Sequence, residues 1–116
     1  MAFIISSKEF LVAEGSKVRG AVLRKGDTSL AEVVLISTSN KTAKAGVDYD
    51  RLEKEIKFLP GERQVDFDIQ THRNNQPDFQ KEFTVQLIRI PQTHFGYAGQ
   101  LENPSLAVVK ILDMDT

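Results

Sequence analysis

The stretch Arg63-Gln64-Val65-Asp66-Phe67-Asp68-Ile69-Gln70-Thr71 decides the fold class. Val65, Phe67 and Ile69 alternate with Asp66, Asp68 and Gln70, so an extended chain sets every apolar side chain on one face and every polar one on the other. A helix would scatter them. Residues 81–90 repeat the pattern, with Phe83, Val85 and Leu87 against Glu82, Thr84 and Gln86, and residues 55–58 add Ile56 and Phe58. All three read as half-buried strands.

Outward from these, the runs at 18–24, 32–38 and 106–112 are rich in Val, Leu and Ile and bounded by turn-forming residues, which marks more central strands. Residues 29–37 could wind into a helical turn or two, but their β-branched content favours strand. Lys25-Gly26-Asp27 and Pro60-Gly61-Glu62 look like tight reversals. The expectation is an all-β, seven-stranded antiparallel sandwich of immunoglobulin-like or fibronectin III-like type. Its strands are A near 10–13, B at 17–24, C at 31–39, D at 53–59, E at 63–71, F at 81–90 and G at 105–112. Strand A is the weakest of these, because Ser6-Ser7-Lys8-Glu9 interrupts it.

A chain of 116 residues with 41% hydrophobic composition is the size of one domain with one core. Fifteen Lys and Arg against 16 Asp and Glu leave a net charge of -1, which provides no field for nucleic acid or an anionic membrane. With no cysteine there is no disulfide, thiolate zinc site or cysteine nucleophile. The opening Met1-Ala2-Phe3-Ile4-Ile5-Ser6 is too short and unflanked for a signal peptide or a membrane span, and reads as the start of an excised domain. No phosphate-cradling glycine pattern, nucleophile elbow or His-Glu helix motif supports catalysis.

Successive antiparallel strands end at opposite poles, so A, C, E and G all finish at one of them. Glu14, the loop after C with Asp48, the connection 72–80 with Arg73 and Asp78, and the terminal Asp113 and Asp115 therefore gather at one end of the sandwich. The long connections there can carry a site, which short hairpins cannot.

The chain from about residue 10 onward resembles a Calx-beta domain. The resemblance rests on Val12-Ala13-Glu14-Gly15, on Thr42-Ala43 through Gly46-Val47-Asp48-Tyr49, and on Phe58-Leu59-Pro60-Gly61-Glu62. Glu82-Phe83-Thr84-Val85 and the closing Ile111-Leu112-Asp113-Met114-Asp115 complete it. It implies a non-enzymatic sandwich module of the kind found in sodium-calcium exchangers, the integrin β4 tail and Fraser-complex matrix proteins. It also implies that Glu14, Asp48, Asp113 and Asp115 match positions holding Ca2+ in calcium-binding members. The segment 72–80 departs from that pattern: only Asp78 adds a carboxylate, and Arg73 could place a fixed positive charge where an ion would sit. Calcium binding is then weak or absent.

The expected function is a structural or adhesive module of an extracellular-matrix or cell-surface protein, with neighbouring domains of the same chain as partners and a further protein partner as an option. The alternatives are a calcium-sensing module on the cytoplasmic face of a transporter and a calcium-independent interaction domain in which Arg73 or Lys44 pairs with the acids. Neither nucleic-acid binding nor membrane insertion is expected. Asn40-Lys41-Thr42 matches an N-glycosylation acceptor in a secreted eukaryotic chain, although such triplets also arise by chance. Lys25-Gly26-Asp27 resembles an integrin-recognition tripeptide but reads more simply as a turn. His72 and His94 are expected at opposite poles, with no metal pair between them.

Overall fold

The computed structural model describes residues 2–73, 80–89 and 100–112. Their strands are β1 (Ala2–Ile5), β2 (Glu9–Ala13), β3 (Lys17–Lys25), β4 (Glu32–Asn40), β5 (Glu53–Phe58), β6 (Gln64–Gln70), β7 (Lys81–Ile88), β8 (Gln100–Leu101) and β9 (Leu106–Leu112). One sheet runs β6-β3-β1-β8 and the other β2-β9-β7-β4-β5. The sandwich expected from the alternation is present, with β2 to β7 and β9 corresponding to strands A to G. The runs read as central are central: β3, β4 and β9 each have a neighbour on both sides.

Two strands exceed the expected seven. Residues 2–5, to which the sequence reading assigned no strand, form β1, antiparallel to β3 and parallel to the short β8. Phe3 and Ile5 sit fully inside the core. The interruption at Ser6-Ser7-Lys8 is where the first strand changes sheets. Ser6 N–H donates to Ala21 O in the first sheet, and Val108 N–H donates to Lys8 O in the second. The Ser6 hydroxyl accepts the Ala21 N–H and the Ser7 hydroxyl donates to Glu9 O, so serine oxygens replace ladder bonds lost at the kink. Because β2 and β9 run toward the same pole and lie side by side, they pair in parallel. The sheets are therefore not purely antiparallel.

The turns at 25–27 and 60–62 also differ from expectation. Neither closes a hairpin: β3 and β4 lie in different sheets, as do β5 and β6. Each reverses direction while crossing the sandwich, with Gly26 and Gly61 at φ 87 and 88° taking the left-handed turn positions. The core between the sheets is one cluster around Phe3, Ile5, Val22, Ile36, Tyr49, Phe58, Phe67, Phe83, Val85 and Val109. At its edge, Gly20 faces Phe67 across the β3–β6 ladder, and a side chain there would lie 2.6 Å from Phe67 Cζ and 2.9 Å from Phe10 Cζ. The missing side chain is what lets these two rings meet edge to face, 6.2 Å apart.

Candidate functional site

The pole where β2, β4, β6 and β9 end is built around the loop between β4 and β5. Tyr49 anchors this loop, stacking on Phe83 with ring centroids 3.8 Å apart and planes 8° from parallel. Its hydroxyl donates to Asn40 Oδ1 at 2.6 Å, and burial pushes its phenol above the ordinary pKa. Gly46, at φ 84°, donates to Tyr49 O and lets the chain fold back on itself. The turn delivers Asp48, 4% exposed, into the rim of the core. Asp48 Oδ2 accepts the Lys44 N–H at 2.8 Å, and Asp48 Oδ1 meets Lys81 Nζ at 3.1 Å.

The connection after β6 is tied to the same loop. His72 N–H donates to Asp48 O, and its ring Nε2 lies 2.7 Å from Asp50 Oδ1. The Thr71 hydroxyl donates to Ser16 O at 2.5 Å and Gln70 Nε2 to Gly15 O at 2.9 Å, fastening the corner that carries Glu14. Glu14 N–H donates to Leu112 O at the end of β9, and Glu14 Oε2 is sealed from solvent. A side chain at Gly15 would sit 3.7 Å from Arg73 Cγ, so Arg73 flanks this corner. Glu14, Asp48 and Arg73 thus belong to one pole. Asp78, Asp113 and Asp115 lie outside the described residues, as does His94.

Calcium requires about six to eight oxygens at roughly 2.3–2.6 Å. Among the described residues no three His, Asp or Glu side chains converge in such an arrangement. Both oxygens of Asp48 are engaged, one by an amide and one by an ammonium. Among the described residues, Asp48 is a buried carboxylate neutralised by a lysine. Lys81 was missed from sequence, where the alternative cations were Arg73 and Lys44. The alternation contains the signal, since Lys81 shares the inward row of Phe83, Val85 and Leu87.

The opposite pole holds a second buried charge. Arg24, 2% exposed, lies on the inward row of β3 with Val18 and Val22. Its Nε donates to Glu62 O, Nη1 to Leu30 O, and Nη2 to Thr28 O and Leu59 O. The guanidinium also covers the Phe58 ring, 5.2 Å from its centroid. One side chain thus ties together both crossing turns. Beside it Glu32, 3% exposed, has both carboxylate oxygens buried without a hydrogen-bond donor among the described residues. Burial pushes its carboxyl above the ordinary value, against the opposing pull of Arg24. On the adjacent turn, Asp27 Oδ1 accepts the Ser29 N–H at 2.9 Å, the turn role expected of that tripeptide.

The sequence model of the Calx-beta domain matches residues 2–115. The chain belongs to the Calx-beta family. This Calx-beta domain is 34% identical over 74 residues to human FRAS1-related extracellular matrix protein 2, an alignment covering 64% of the chain and 2% of that much longer protein. In structure it is similar to the apo form of the Calx CBD1 domain, with TM-score 0.88 and 26% identity over 98% of this chain and 97% of the other. It is also similar to the calcium binding domain CBD12 of CALX1.1, with TM-score 0.85 and 26% identity over 97% of this chain and 44% of the other.

Proposed function

We propose that this Calx-beta domain is a non-catalytic structural module of a larger extracellular or cell-surface protein, packed against neighbouring domains of its own chain and stable without calcium. The observation that carries this reading is the Lys81 ammonium 3.1 Å from the buried Asp48 carboxylate. A cation supplied by the chain does there what an ion would do, relieving a carboxylate withdrawn from water. The likeness to a human matrix protein supports the extracellular setting.

The likeness to a calcium binding domain favours a second reading, a weak calcium site assembled from Glu14 and Asp48 with Asp78, Asp113 and Asp115. It requires Lys81 to leave Asp48. Thermal unfolding in chelator, in calcium up to several millimolar, and in magnesium at matched ionic strength separates the two. The internal-cation reading expects superimposable curves. A native-state ligand at about 100 times its Kd adds about 2.7 kcal/mol, so a saturable calcium-specific rise establishes the second reading instead.

A further inference from the structure

We infer that Asn40 is an N-glycosylation site, an inference that rests on the extracellular reading above. Two places in the chain have Asn followed two residues later by Ser or Thr: Asn40-Lys41-Thr42 and Asn103-Pro104-Ser105. Proline in the middle disqualifies the second, which leaves Asn40 as the single acceptor triplet. Asn40, Lys41 and Thr42 are all exposed, at the point where β4 leaves the sandwich.

The way the fold uses this asparagine decides whether it tolerates a sugar. Asn40 Oδ1 accepts the Ala45 N–H at 2.8 Å and the Tyr49 hydroxyl at 2.6 Å. The Ala45 N–H can only donate, so it fixes which end of the amide is oxygen. Among the described residues Nδ2 makes no hydrogen bond. The fold therefore draws on the acceptor half of the side chain and leaves the nucleophilic half unused. Glycosylation needs that unused half: Nδ2 displaces a lipid-linked diphosphate from the anomeric carbon of an oligosaccharide, forming the N–C bond, breaking the C–O bond and losing one proton. The product is still an amide whose Oδ1 keeps both hydrogen bonds.

The Thr42 hydroxyl follows the same order of events. In the folded chain it accepts the Glu82 N–H at 2.7 Å, a partner 40 residues further on. That bond forms only after β7 has been made. Until then the hydroxyl is open to the transferase, and afterwards it closes the loop against β7.

The test is secretion of the chain from eukaryotic cells behind a cleavable leader, followed by intact-mass and peptide analysis before and after peptide N-glycosidase in heavy-oxygen water. The site is supported if Asn40 is converted to isotope-labelled Asp, if Thr42→Ser keeps the modification, and if Thr42→Ala abolishes it. Asn103 stays unlabelled as the internal control. Secreted protein that unfolds cooperatively with Asn40 unmodified overturns the inference. The leader imposes the secretory route whatever the parent protein's address, so that outcome counts against the site and not against the extracellular reading.

Discussion

Glu32, at the head of the inward row of β4, and Asp48, in the loop after that strand, are both buried acids, yet only Asp48 is met by a donor on each of its oxygens. The difference sets their pH behaviour. Glu32 has a folded pKa raised above 4.5, chiefly by burial, so between 4.5 and the raised value the folded protein holds a proton that the unfolded chain has lost. Stability from this group is greatest at low pH, falls as pH rises through that window, and stays reduced above it. In urea unfolding across pH, Glu32→Gln is expected to gain on the wild type as pH rises from about 4.5 toward neutrality. A difference independent of pH means that Glu32 does not titrate on unfolding. Arg24, Glu32 and Lys81 were legible in principle, because each falls on the apolar side of its strand's alternation. They were passed over because charged residues are ordinarily assigned to solvent, and at the ends of a row the pattern alone does not say whether a side chain snorkels out or turns in.

The strands themselves were the most legible elements, and their ends agree with the alternation to within a residue or two. Their distribution between sheets was not. Alternation gives a strand's direction and buried face, but the crossings at 25–31 and 59–63 bring together residues that no local pattern relates. Gly20 shows the same limit. As a glycine inside a strand it suggests weakness, whereas the structure makes it the gap that admits Phe10 and Phe67. Ala commonly improves on Gly in a strand by about 0.5–1 kcal/mol. Here Gly20→Ala is expected to destabilise by about 1–3 kcal/mol, since a Cβ 2.6 Å from Phe67 forces the ring to move. Denaturant titration gives the sign directly, and a stabilised variant would mean that the rings shift aside at little cost.

For the whole molecule, the gathering of Glu14, Asp48 and Arg73 at one pole follows from strand direction and was readable before any coordinates. The chemistry of that pole was not, because the ion pair joining Asp48 to Lys81 depends on how a side chain of the β4–β5 loop meets one at the start of β7. The molecule also depends on β1, a strand that the sequence reading did not assign. Phe3 and Ile5 each contribute about 1.5–3 kcal/mol by burial, against a total of roughly 5–15 kcal/mol for a domain. Deleting residues 1–5 is expected to abolish the cooperative thermal transition followed by circular dichroism; a sharp transition near the wild-type temperature would show that the other strands suffice. The parallel ladder from Glu9↔Val108 to Ala13↔Leu112 has a consequence of another kind. In a tethered array, tension enters ahead of β2 and leaves beyond β9, pulling these two neighbours lengthwise past each other. Their hydrogen bonds are loaded in shear, all at once instead of one after another, so in such an array the seam between β2 and β9 is where the domain resists the pull.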